Sequence, residues 1–395
     1  GSGGVIMITT KTGFNGKSKI NISVNQAFQS PTRLPEFVSA GDYPLLYNQR
    51  QANDTLFADA QDIASGGSGL DHSSTIFYTP YEIDRYQNAD MTEFYPVRDM
   101  VGDFYKDFSQ LTRVNINFQG GSEMMKFFTS VGYMHQGGLF ENEPFERYSY
   151  DAESKTNRFN FRTNLDIAVN ENLDVWAKVG GYMEKVNGPY VSNNWGWSDL
   201  IAKLYETPNN AHNDLTPEGE VLVKRDKLNY RNSSSVYGML NRTGSTLATI
   251  TRLGNTFGAK QKLDGITQGL SASAQLAFDI WSSNTQIRSR DYEAWEVANF
   301  LSVDGLDSLG YAKVPGTNNT TLSDGQGEFF SYMYNMRISL DYDRTFADRH
   351  RVTAMVMGER QMEQRQVLLA TNYLGLAGRI NYGFDNKYFL DFNAA

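Results

Sequence analysis

The 395-residue chain combines a mean hydropathy of -0.49 with 24 Phe, 23 Tyr, 5 Trp, 35 Gly and no Cys. No uninterrupted apolar run approaches the ~18 residues of a membrane helix, which excludes a helical membrane bundle. Zero Cys removes disulfides, thiolate metal sites and Cys nucleophiles, and a net charge of -9 argues against nucleic acid as a partner.

The chain opens Gly1-Ser2-Gly3-Gly4 without Met, basic n-region or apolar h-region, so any targeting signal is expected upstream or already removed. Alternation with period two then dominates. It begins at Ile20, Ile22, Val24 and Phe28, and recurs at Val114, Ile116 and Phe118 and at Phe127, Val131 and Tyr133. The clearest case carries Phe159, Phe161, Thr163, Leu165, Ile167 and Val169 on one face and Arg158, Asn160, Arg162, Asn164 and Asp166 on the other. Next come Leu173, Val175, Ala177 and Val179, a weaker run over 253–263, and Leu270, Ala272, Ala274, Leu276 and Phe278. The last four runs are Tyr332 to Tyr342, Val352 to Val356, Leu376 to Phe384 and Tyr388 to Phe392. The pattern predicts about eleven strands, several longer than the ~5–6 residues usual in globular sheets.

The connections alternate long and short. Long loops are expected at about 30–110, 187–245 and 282–328, a medium one over 137–155, and tight turns near Gly120-Gly121, Asn170-Glu171-Asn172, Asp264-Gly265, Ala347-Asp348-Arg349 and Asp385-Asn386-Lys387. An outer-membrane barrel has this form, with tight turns in the periplasm and long loops outside. Its strands are apolar towards lipid and polar towards the interior. The fold class expected is therefore all-β, an antiparallel transmembrane β-barrel. An odd number of strands, with no returning partner for the last, leads us to expect about half of a larger barrel.

No catalytic constellation emerges, and the chain is not expected to be an enzyme or to hold a cofactor. Gly16-Lys17-Ser18 lacks the upstream glycine of a phosphate-binding loop, and no two of His72, His135, His212 and His350 lie at metal-ligand spacing. Glu141 and Glu143 read as solvated loop residues. Binding is better served: Tyr190, Asn193, Asn194, Trp195 and Trp197 cluster in one loop, where aromatic faces beside amides suit sugar rings or fold the loop on itself. The polar set Arg158, Asn160, Arg162, Asn164 and Asp166 should face the lumen or the plug, and is expected to pack on the plug rather than contact a ligand.

Several stretches resemble TonB-dependent outer-membrane transporters of the SusC/RagA type of Bacteroidetes. Gly1 to Gly13 is similar to the end of the family's plug. Leu34-Pro35-Glu36-Phe37-Val38-Ser39-Ala40 with Tyr43 and Tyr47-Asn48, then Glu82-Ile83-Asp84-Arg85-Tyr86, Tyr95-Pro96 and Asp99, resemble the region after its first strand. Gly120-Gly121-Ser122-Glu123, Phe127 to Tyr133 and Gln136-Gly137-Gly138 look like its first periplasmic hairpin, continued by Arg147-Tyr148, Arg158 to Asp166 and Gln261-Lys262-Leu263-Asp264. The resemblance implies a barrel of about 22 strands, with residues 1–17 the plug's C-terminal end and 18–395 the first half of the barrel. It also implies an outer-membrane location, a SusD-like lipoprotein lid, TonB acting through an upstream segment, and active import of oligosaccharides or oligopeptides. The alternative is a passive pore or a surface-binding barrel.

Overall fold

The computed structural model describes residues 10–66, 77–143, 149–191, 197–225, 235–303 and 306–395. In chain order the elements are β1 (Gly16–Gln29), α1 (Tyr43–Ala64), α2 (Pro80–Asn88), α3 (Met100–Phe104), β2 (Ser109–Gly121), β3 (Met125–Gly137), β4 (Lys155–Asn170) and β5 (Leu173–Pro189). They continue with α4 (Trp197–Glu206), β6 (Val221–Arg225), α5 (Val236–Asn241), β7 (Gly244–Lys262), β8 (Leu270–Ser289), β9 (Ala294–Val303), β10 (Leu306–Lys313), β11 (Ser323–Phe346), β12 (His350–Arg365), β13 (Thr371–Phe384) and β14 (Tyr388–Ala394).

Eleven strands form one antiparallel sheet in the order β1-β2-β3-β4-β5-β7-β8-β11-β12-β13-β14, as the alternation predicts. The sheet does not close on itself: β1 and β14 are its two edges. Register carries the apolar rows across strands. Ile22 pairs with Ile116, Ile116 with Val131 and Val131 with Phe161. Farther along, Leu165, Ala177, Phe257, Leu276 and Met336 stand side by side. This face is bare: Ile20, Ile22 and Val24 are 64–67% exposed, and Ile338 is 64% exposed. A continuous apolar sheet of this extent would aggregate in water, whereas it matches hydrocarbon.

Two strands outrun expectation. β8 continues to Ser289, past the predicted loop start near 282, and β11 begins at Ser323. Ser282-Ser283-Asn284-Thr285-Gln286 is polar on both faces, so the period disappears although pairing with β11 continues from Phe330 to Ser323. The tight turns at Ala347-Asp348-Arg349 and Asp385-Asn386-Lys387 fall where the sequence places them. Ala347 and Asp348 (φ 50° and 57°), and Asp385 and Asn386 (φ 50° and 53°), take two successive positive φ values, the requirement of a type I′ hairpin. Ala347 adopts the left-handed region without the glycine that normally relieves it.

Among the described residues the sheet has no second layer, and the packed cores lie in the three long connections. Met100, Val101 and Phe104 of α3 meet Leu200 and Leu204 of α4 and Val236, Met239 and Leu240 of α5. Tyr78, Tyr86, Tyr95 and Ala211 form a second cluster, and Val221, Val223 and Ala294, from β6 and β9 of the small sheet β10-β9-β6, a third. Local signals explain the pieces: α2 starts at a full capping box between Thr79 and Glu82 with Pro80 at its first position. Together the connections build a folded cap at one end of the sheet.

Candidate functional site

The face opposite the apolar rows is polar, and the tail before β1 lies against it. Asn164, 2% exposed, donates through Nδ2 to the carbonyl of Lys11 at 2.6 Å and to Thr10 Oγ1 at 3.2 Å. Gly13 passes so close that a Cβ there would sit 2.2 Å from the Phe127 nitrogen, so only glycine fits this approach. An Asn164→Leu change removes both donors and leaves the Lys11 carbonyl unpaired, a loss of about 1–3 kcal/mol. Hydrogen exchange at Lys11 to Gly13 should then accelerate at least about tenfold, while β4 amides keep their protection.

Above the tail the wall carries cations beside aromatic rings. The Arg158 guanidinium lies 3.8 Å from the Tyr182 ring centre and Arg252 lies 4.7 Å from that of Trp281, which itself sits 4.5 Å from Phe329. Arg158 also approaches Glu184 at 3.7 Å. Register explains the gathering, since Asn160, Tyr182, Arg252, Trp281 and Ser331 occupy one row and Arg162, Gly180, Gly254 and Asp279 the next. Gly180 and Gly254 leave the floor open, with Asp279 Oδ1 3.0 Å from where a Gly254 Cβ would stand. Two adjoining cavities of about 390 and 440 Å³ result, sharing Arg162, Gly181 and Tyr182. Such a wall can hold carboxylates by charge-assisted hydrogen bonds and flat or cationic groups by stacking.

No protein-family model matches the chain. The TonB-dependent receptor P26 of Formosa agariphila is 25% identical over 210 residues, covering 53% of this chain and 17% of that protein. The TonB-dependent receptor P3 of the same organism is 20% identical over 417 aligned residues, covering all of this chain and 35% of that protein. Among solved structures, the RagAB peptide importer in its closed-closed state superposes with a TM-score of 0.57 at 14% identity, over 97% of this chain and 42% of that one. Its open-open state gives 0.58. The chain is similar in sequence to TonB-dependent receptors and shares the fold of the RagAB importer's barrel. It spans well under half the length of these relatives. Such receptors are outer-membrane β-barrels and not enzymes, so the apolar rows of this segment face lipid and the polar wall faces the lumen.

The predicted loop cluster is only partly described. Asn193, Asn194 and Trp195 lie outside the described residues, as do the Gly1 to Thr9 and Arg147-Tyr148 stretches. Trp197 stacks on Phe140 at 5.7 Å and 24° and covers Gly188, with 44% of its surface exposed. The Tyr190 amide donates to the Gly244 carbonyl at 3.1 Å. The described pair thus helps seat the cap on the ends of β5 and β7. Glu143 departs from its expectation of a solvated residue: it pairs with Arg242 and accepts from Tyr237, and burial lowers the Arg242 guanidinium to about 10.

His212 also belongs to the cap. It is 4% exposed and its Nδ1 lies 2.7 Å from the Asn213 carbonyl, beside the bidentate Arg98–Asp214 pair at 2.8 and 2.9 Å. Burial pushes its pKa below the ordinary 6.5, against the opposing pull of the Asn213 carbonyl. The unfolded cap therefore binds the extra proton. Its contribution is complete above the unfolded value near 6.5 and is lost as pH falls below it. Protease resistance of the cap should drop between about pH 7.5 and pH 5, and His212→Gln should flatten that dependence.

Proposed function

We infer that this chain supplies the end of the plug (1–17) and the first half of the barrel (18–395) of an active importer. The long connections then face outward and the tight turns face the periplasm. TonB acts through a segment upstream, and a SusD-like lipoprotein covers the mouth. The observation that carries this reading is the tail Thr10 to Gly13 held against the lumen wall by Asn164 and by close approach to Phe127. A passive pore has no use for a segment fixed there.

For cargo we favour oligopeptides over glycans. The wall offers Arg162 and Arg252 for carboxylates and Tyr182 and Trp281 for side-chain stacking, and the fold is shared with a protein named a peptide importer. Tyr190 and Trp197, with Asn193, Asn194 and Trp195, serve this reading as mouth contacts for cargo. The test is uptake of labelled oligopeptides and oligosaccharides by cells bearing the intact receptor, with and without its TonB-contacting segment. Peptide uptake that disappears with the segment supports the proposal. Uptake that persists without it contradicts active import, and uptake of saccharides alone contradicts the cargo assignment.

A further inference from the structure

We propose that the upper edge of β11, Ser323 to Phe330, binds an extended peptide by adding it as a strand. The proposal rests on the oligopeptide reading above and assigns where the peptide backbone is held. β11 is paired with β8 along its whole upper part, from Ser323↔Ser289 to Phe330↔Ser282. On its other side pairing with β12 stops at Ser331↔Arg365. Ser323 to Glu328 are all exposed, so above β12 the strand presents one free edge among the described residues.

The parity of the ladder says which groups that edge offers. The Asp343 amide donates towards β8, to Gly269, so odd residues of β11 bond on that side. The Gln366 amide donates to the Phe330 carbonyl at 2.7 Å, so even residues bond on the β12 side. Asp324, Gln326 and Glu328 accordingly direct their backbone groups outward from the edge, repeating every ~6.8 Å. Gln366 Nε2 reaches the Glu328 carbonyl at 3.3 Å and closes the lower end. A peptide in extended form matches that repeat of amide donors and acceptors, and a glycan chain does not.

The side chains point the same way. Gly325 and Gly327 lie on the lumen side of this stretch without positive φ, and a Cβ at either would meet only Ile287 Cβ at 3.7 Å or Thr285 Cβ at 3.9 Å. Neither backbone conformation nor strand packing requires glycine there. Paired glycines in a strand interior weaken it unless something approaches closely, and they leave a flat bay beside the Trp281–Phe329 ring pair for the side chains of an added strand. The register carries no bulge here and the edge bears no Pro or Lys; its charged residues are Asp324 and Glu328, on the face opposite Gly325 and Gly327.

The test uses the intact receptor in detergent and a fluorescein-labelled, end-blocked octapeptide of alternating Val and Thr, read by anisotropy. N-methylation of its four central residues removes donors while keeping side chains, and should weaken binding at least about tenfold. Gln326→Pro should weaken the parent peptide about tenfold, since Pro takes an amide from the free side alone, in a receptor that still migrates as a folded species on unheated gels. Equal binding of methylated and parent peptides overturns the edge and leaves the oligopeptide reading standing. So does protection of the Gln326 and Glu328 amides from exchange in the peptide-free receptor, which would mean another segment already fills the edge. Parent peptide that fails to bind a folded receptor which takes up peptides in cells overturns the edge, and failure in both assays overturns both readings.

Discussion

Arginine in place of Leu276 is expected to destabilise the folded receptor by about 2–4 kcal/mol, the cost of a cation near the middle of the lipid face. Leu276 stands between Phe257 and Met336 in the apolar row and is 43% exposed. Its neighbour Gln275 faces the lumen beside Gly258 and Arg337. Gln275→Arg should cost far less, because a charge there remains in a polar setting. Equilibrium unfolding from phospholipid vesicles measures both. In a water-soluble sheet the order would differ, since a charge on a bare apolar surface improves solubility. The pair of substitutions therefore reads which solvent each face meets.

Leu240→Ala should cost about 2–5 kcal/mol, as for other large-to-small changes at fully buried sites. Leu240 is 0% exposed where α3, α4 and α5 meet. The loss belongs to the cap and not to the sheet, because none of the cluster's described residues lies on a β-strand. Proteolysis of the connections should become fast under conditions in which the barrel still migrates as a folded species on unheated gels. Simultaneous loss of cap and barrel would instead mean that the two fold as one cooperative unit.

The sheet was legible because one face of each strand meets hydrocarbon, and this imposes a period of two on residues such as Phe159 to Val169. Legibility ended where that constraint ended. Above Trp281 both faces of β8 meet polar surroundings, so the strand's extension to Ser289 left no periodic trace. β7 was faint for a related reason: its outward row is diluted by Asn255 between Phe257 and Leu253, and by Thr251 and Thr249 beyond Leu253. The cap was hidden because its core joins Met100, Leu200 and Leu240, three residues far apart in sequence that no local pattern relates.

The lumen wall shows the same division. Arg158, Asn160, Arg162, Asn164 and Asp166 were readable as a polar face from β4 alone. That Asn164 among them would hold the tail was not, because the contact spans 153 positions. Arg252 and Trp281 are neighbours only through the β7–β8 register, where they pair directly. A sequence shows each residue's face, while the register that brings two faces together is set by turns and neighbouring strands. Trp197 was singled out for its aromatic neighbours, yet the ring it touches is Phe140, from a different connection.

The central claim is that the even-numbered residues of β8 face lipid and the odd-numbered ones do not. The chain has no Cys, so its own residues add no background to single-Cys labelling. Spin labels placed one at a time from Ser271 to Ile280, in the intact receptor in outer-membrane vesicles, report the local concentration of oxygen, which dissolves preferentially in hydrocarbon. The account predicts oxygen maxima at Ala272, Ala274, Leu276, Phe278 and Ile280 with minima between them. A profile without that alternation, or even positions open to a water-soluble nickel chelate, would contradict it.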